Sequence, residues 1–182
     1  MANKEALRDL QVRLANRLRE AREQPRQVGW LAVECAGSGL LMPLAQAGEI
    51  HPMGRIALVP HAKPWLAGVA NLRGELYAVV DLPLFLGLQE GGRSTSPTQG
   101  QLVALNASLN LNAALRVDRL VGLRDPEHMV VEHSDAPRPG FVSAAWRDAQ
   151  GRLWQALDLA QMACDPAFLD VGRRPQSSAI KQ

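Results

Sequence analysis

Residues Trp65–Leu82 read WLAGVANLRGELYAVVDL, and this stretch decides the fold: an uncharged apolar approach, a turn at Arg73-Gly74, and a return strand of period two. The reading is a β-hairpin that carries an arginine at its tip. Gly74 supplies the positive φ that such a tip requires. The return strand sets Leu76, Ala78 and Val80 against Tyr77 and Val79, apolar on both sides, which predicts burial of both faces. Asp81 then follows as N-cap of a short helix, DLPLFLG, with Pro83 in its first turn and Gly87 as its stop.

A self-comparison extends the unit. Gly74–Leu82 (GELYAVVDL) aligns without gaps on Gly151–Leu159 (GRLWQALDL), matching at the glycine, a leucine, an aromatic, a terminal apolar residue and the closing Asp-Leu. Each copy has a small-residue strand before it (GVAN, VSAAW) and a strand pair further upstream, near residues 30–45 and 102–117. Two related β-subdomains follow, each too small to bury its strands alone and so sharing an apolar seam. The remaining apolar runs agree: Trp30–Cys35, Leu40–Leu44, Gly68–Asn71, Leu76–Val80, Leu102–Leu105, Leu111–Val117 and Leu153–Leu157 are short strands cut by Gly, Pro and Asn, the pattern of a sandwich or small barrels.

Other segments differ in kind. Residues 3–23 place Leu7, Leu10, Leu14, Leu18 and Ala21 at helical spacing among five arginines, which predicts an amphipathic helix ending before Pro25. It is read as packed on its own domain or on a partner protein, because Glu5, Asp9, Glu20 and Glu23 dilute the charge that binding to anionic lipid would use. Gln89–Gly100 and His133–Gly140 read as polar connectors, and the last residues as a flexible tail. The expected organisation is therefore residues 1–27 as helix and linker, 28–170 as the β-domain, and 171–182 as the tail.

Composition bounds the function. Across 182 residues the formal charge is only +2 and aromatics are 4%, which argues against a nucleic-acid surface. No apolar run is long enough for a bilayer span, and charged residues interrupt any leader-like start, so the expected address is cytoplasmic. Cys35 and Cys164 stand apart and read as small buried hydrophobes in a reducing compartment.

The search for chemistry ends in structural readings. His128 and His133 flank MVVE with Glu127, Glu132 and Asp135 nearby, but a strand sends positions five apart to opposite faces, so no metal site is expected. There is no Gly-x-Ser-x-Gly, and AGSG lacks the Lys-Ser/Thr ending of a phosphate loop. Asp81 and Asp158 occupy matching places before helix starts and read as N-caps rather than a catalytic pair. Neither a catalytic residue nor a cofactor or metal is expected. Arg73 stands out instead, since an arginine at a hairpin tip can pair with a partner carboxylate or stack on an aromatic ring. Beside it, Gly68, Val69, Ala70 and Asn71 form an uncharged small-residue strand that a partner could approach closely.

These residues carry a resemblance. WLAGVANLRGELYAVVDL resembles the CheW-like signature GVxNLRGxxxPVxDL, departing at Ala78 where the family often has proline. The order of the rest is similar over about residues 28–170: an opening strand at Leu31–Cys35, a strand turning into a short helix at Glu49-Ile50, then VPHAKPWLAG, Leu102–Leu105, RVDRLVGLRD and a closing hairpin and helix. The N-terminal helix and the ending MACDPAFLDVG look most like the PilI-type, twitching-motility branch, which serves type IV pilus chemosensory systems. The resemblance implies a mainly β fold of two five-stranded SH3-like barrels around a shared core, and a non-catalytic adaptor. It implies two partners, the cytoplasmic tip of a methyl-accepting chemoreceptor and the regulatory domain of a CheA-type histidine kinase, with recruitment to membrane-associated receptor arrays. By the same resemblance the receptor-facing residues are Ala47, Glu49, Gly68, Val69, Asn71 and Arg73. Service to flagellar chemotaxis or another output is the alternative, and a nucleic-acid-binding barrel the more distant one.

Overall fold

Strands that are apolar on both faces need cover on both faces, and the chain meets this with two sheets around a common core. A computed structural model describes residues 29–89, 100–125, 128–132 and 138–172. The expected N-terminal helix, residues 90–99 and 133–137 of the two connectors, and residues 173–182 of the tail lie outside the described residues. In chain order the strands are β1 (Trp30–Cys35), β2 (Ser38–Pro43), β3 (Ala47–Pro52), β4 (Leu66–Leu72), β5 (Glu75–Asp81), β6 (Gln101–Leu105), β7 (Ala113–Val117), β8 (Arg119–Arg124), β9 (Val130–Glu132), β10 (Val142–Arg147) and β11 (Leu153–Leu157). Short helices follow β5 (Leu82–Phe85) and β11 (Leu159–Cys164, then Pro166–Leu169).

The sheets have the orders β8-β1-β2-β11-β10-β9 and β3-β6-β7-β5-β4. The first thus holds six strands rather than five, because the VVE run of β9 pairs along β10 through Val130↔Arg147 and Val131↔Trp146. Neither sheet is built from one repeat. β5 of the first copy runs parallel to β7 of the second, from Ala78↔Ala113 to Asp81↔Arg116, and β11 of the second runs parallel to β2 of the first, from Trp154↔Gly39 to Ala156↔Leu41. The outer strands exchange likewise, β3 onto β6 and β8 onto β1. Each sheet is a hairpin of one copy flanked on both sides by strands of the other, so neither copy forms a sheet by itself.

Period-two alternation divides the apolar residues among three clusters. In β1, Leu31, Val33 and Cys35 enter the shared core while Ala32 faces Leu41, Trp154 and Ala156 inside the first sheet. In β5, Val80 enters the shared core while Val79 joins Leu102 and Ala114 inside the second. At the rim of the shared core the helices bring Trp65, Phe85, Phe141 and Phe168 together, with Phe85 edge-on to Trp65 at 5.2 Å and to Phe168 at 5.1 Å.

Two expectations are corrected. Leu76 is 67% exposed rather than buried, because β7 begins to pair with β5 only at Ala78 and the tip residues form a two-stranded overhang with β4. Glu49-Ile50 does not enter a helix. It lies in β3, where Ile50 pairs with Val103 beside a bulge.

Both capping aspartates stand as expected, Asp81 accepting from Leu84 N–H and Asp158 from Ala160 and Gln161 N–H. Asp81 has a second role that its position before a helix does not announce. Its Oδ2 accepts from Arg116 Nη1 at 2.8 Å, and the Arg116 side chain is only 4% exposed. Asp158 meets instead the neutral amide of Gln46, at 3.1 Å. Breaking a buried pair by removing one charge costs far more than loosening a neutral contact. Asp81→Asn, which can still cap, is expected to lower the unfolding free energy by about 3 kcal/mol, and Asp158→Asn by about 1 kcal/mol or less, in denaturant titrations. Equal effects at the two sites would show that the buried charge pair is not the difference.

Candidate functional site

The β4–β5 connection is a two-residue turn in which both central residues have positive φ, 53° at Arg73 and 96° at Gly74. That geometry matches the twist of the flanking strands. Asn71 fixes it, its Oδ1 accepting the Gly74 N–H at 2.8 Å. Glycine or asparagine would serve this turn better at the first position, since an L-residue with a Cβ costs about 1 kcal/mol there. What the arginine adds is reach. Its Nη1 donates to Glu49 Oε1 at 2.7 Å, from a side chain 75% exposed to one 53% exposed.

This contact closes a sheet. Glu49 lies on β3 and Arg73 at the end of β4, which are the two edges of the five-stranded sheet, so the sheet curls until its edges meet at the ion pair. Beneath the pair lies a groove of about 400 Å³, with Leu72, Ala104 and Leu105 among its lining and His51, Glu75 and Tyr77 around it. Tyr77 donates its hydroxyl to Glu75 at 3.3 Å, and burial, followed by the Glu75 charge, raises its pKa above the ordinary phenol value. An exposed pair of this kind adds roughly 0–1 kcal/mol to stability. Its contribution is geometric.

The structure separates the six residues expected to face a receptor. It brings Glu49, Asn71 and Arg73 together at the exposed tip. Ala47 is buried in the shared core. Gly68 is buried too, with φ 145°, and a Cβ there would overlap the Ala57 carbonyl oxygen. The close approach that its small size permits is made by the chain's own Ala57 segment, whose N–H and C=O both bond Val69 at 2.8 Å. The backbone of β4 at Val69 is therefore occupied, leaving the half-buried Val69 side chain to face outward. His51, Glu75 and Tyr77 were missed. Alternation placed Glu49 and His51 on one face of β3, but nothing local tied β3 to the hairpin tip.

At the matching place the second copy is filled. Asp148 holds the tip by accepting from Gln150 and Arg152 N–H at 3.0 and 2.9 Å, and its Oδ2 accepts from Trp154 Nε1 at 2.9 Å. That indole bond is the main reason the Asp148 carboxyl lies below its ordinary value. Trp154 stands where the first copy has Tyr77, and it is buried with the Arg152 guanidinium 4.7 Å over its ring. Arg152 and then Arg119 bond Glu34 at 2.8 and 2.7 Å and hold its carboxyl low. Of the two equivalent places, only that of the first copy has an open groove and an exposed charged tip.

Reactive groups elsewhere are few. Glu132 is engaged with Arg147 at 3.0 Å, and among the described residues no group of three His, Cys, Asp or Glu could hold a metal; His133, Glu127 and Asp135 lie outside them. No helix among the described residues is long and apolar enough to cross a membrane. Cys35 is buried as expected, and burial, followed by the Asp118 charge, pushes its thiol up to about 12. Cys164 is exposed, contrary to expectation, because its helix turns Leu159, Met162 and Ala163 inward and leaves the cysteine on the other side.

Comparison with known proteins places this geometry. The sequence profile of the CheW-like domain matches residues 29–166. Protein PilI of Pseudomonas aeruginosa is 28% identical over 165 residues, which cover 87% of this chain and 88% of that protein. The crystal structure of scaffolding protein TtCheW from Thermoanaerobacter tengcongensis superposes with a TM-score of 0.60 at 18% identity, covering 75% of this chain and 88% of that one, a likeness of fold.

Two outcomes follow from the packing. Alkylation of the native protein near pH 8 should modify Cys164 and leave Cys35 untouched until the protein unfolds, as peptide mass spectrometry would read; early labelling of Cys35 would contradict its burial. Gly68→Ala should destabilise the protein by about 2 kcal/mol or more through the clash and the positive φ, measured by thermal unfolding.

Proposed function

We propose that this chain, which belongs to the CheW-like family, is a non-catalytic adaptor that couples a methyl-accepting chemoreceptor to the regulatory domain of a CheA-type histidine kinase. The observation that carries the reading is the Glu49–Arg73 pair at an exposed hairpin tip, present in one copy of the repeat and replaced by a filled, self-satisfied tip in the other. Scaffold is duplicated in this chain; the charged tip is not. Beside the tip, Leu76 lies in register with Asn71 and is exposed, so an apolar contact adjoins the polar ones. Such a patch gives a partner affinity through the apolar surface and register through the charges.

The mechanism is positional. A rigid body that holds receptor and kinase at a fixed mutual geometry lets a small receptor movement bias the kinase between two arrangements, provided each arrangement makes different contacts with the adaptor. Control of type IV pilus twitching is the output favoured by the similarity to PilI over most of both chains. Flagellar chemotaxis or another chemosensory output would use the same contacts with a different kinase.

Binding of a purified kinase regulatory domain and of a receptor cytoplasmic fragment provides the test. Arg73→Ala should weaken receptor binding about tenfold or more, roughly 1.4 kcal/mol, while changing unfolding free energy by less than about 1 kcal/mol. The exchange Glu49→Arg with Arg73→Glu rebuilds the intramolecular pair with reversed polarity and should stay defective. Restoration of binding by the exchange, or a large loss of stability in Arg73→Ala, would make the pair structural and overturn the reading.

A further inference from the structure

We propose that His51 is the positioning residue for Glu49, so that its protonation tightens the Glu49–Arg73 clasp at the groove and its deprotonation loosens it. The geometry starts in β3, where residues two apart share a face and Glu49 and His51 both line the groove. A bulge between Ala47 and Ile50 leaves Glu49 without a register partner on β6, whereas His51 pairs directly with Leu102. Bulges re-aim side chains, and this one leaves the carboxylate reaching toward the hairpin tip. His51 is anchored, with a side chain only 16% exposed, while Glu49 is free to swing.

The two carboxylate oxygens then serve two different groups. Oε1 accepts from Arg73 at 2.7 Å, and Oε2 lies 3.5 Å from His51 Nε2. The second distance is too long for a good neutral hydrogen bond and short enough for strong attraction once the imidazole is charged. Because the oxygens differ, the histidine does not compete with Arg73. It orients the carboxylate for it. The other ionisable groups facing this place are Glu75 and Tyr77 from β5, which bond each other, while the lining from β6 and the turn after it (Ala104, Leu105, Asn106, Ala107) brings no titratable group. With His51 neutral, Arg73 leaves one of the two glutamates around the groove uncompensated; with His51 charged the balance is even.

The consequence for partners rests on the interface reading above: coupling through the Glu49–Arg73 tip would strengthen as pH falls across the range where imidazoles titrate. The clasp itself does not need that reading, so two arms separate them. In the first, nuclear magnetic resonance of the full chain between pH 5.5 and 8.5 follows the His51 ring and the Arg73 Nε shift in the wild type, Glu49→Gln and His51→Gln. The titration midpoint of His51 is expected to fall by about half a unit or more in Glu49→Gln, from loss of the opposite charge. The Arg73 shift should follow the His51 midpoint in the wild type and stay flat in His51→Gln. An unchanged midpoint in Glu49→Gln, or an Arg73 shift that still titrates in His51→Gln, overturns the proposal. The second arm measures binding of the receptor fragment against pH, expecting a dependence that His51→Gln removes. A positive first arm with flat binding in the second leaves the clasp standing and overturns its link to the partner.

Discussion

The Asp81–Arg116 pair is the constraint on which the rest of the molecule depends. Asp81 Oδ1 caps the Leu82–Phe85 helix while Oδ2 receives Arg116, so one carboxylate ties the end of β5 to both the helix and β7. Arg116 Nη2 continues to Asp118 at 3.3 Å, and Asp118 accepts the Ala36 N–H in the β1–β2 turn. A hydrogen-bonded chain thus runs from the second sheet into the first. Charges at this depth are tolerated only when paired and bonded, so the pair acts less as a source of stability than as a filter on geometry. A register slip of β5 against β7 would strand both charges.

Strand exchange explains why such a filter is useful. With equivalent strands in both copies, each could pair in more than one way, and period-two apolar patterns are nearly blind to the choice. The copies differ in what marks the junction after the shared Asp-Leu: a buried arginine meets Asp81, and a neutral glutamine meets Asp158. They differ again at their tips, Tyr77 and an open groove in one, a buried Trp154 under Arg152 in the other. These pairs of differences distinguish two nearly equivalent assemblies, one for correct pairing and one for an exposed tip.

The legibility of this chain in its sequence follows the range of the interactions. Turn chemistry at Gly74, caps at Asp81 and Asp158, and most strand positions are local and could be read directly. The exchange of strands could not, because β5 carries the same alternation whichever hairpin lies beside it. Arg116 sits 35 positions from Asp81, and only the parallel register reveals them as partners. Leu76 read as buried because alternation tells which face a residue takes and not where the neighbouring strand ends. Gly68 was rightly singled out for close approach, yet the approaching backbone is the chain's own. At the site, the residue types at Glu49 and Arg73 were recognisable from the family resemblance, whereas their contact with each other depends on the curl of a whole sheet.

That curl bears on how an adaptor of this kind would transmit a signal. An ion pair between exposed side chains contributes little to stability, so it can open and close without unfolding its surroundings. Here it joins two edges of a sheet whose central strands are buried on both faces and pinned by a buried charge pair. The rigid part fixes where the two edges stand, and the weak part decides only whether they touch. An element poised in this way can be biased by a partner or a proton at modest cost, because neither has to deform the core. The Glu49–Arg73 contact is thus suited to regulation by the same weakness that makes it dispensable for the fold.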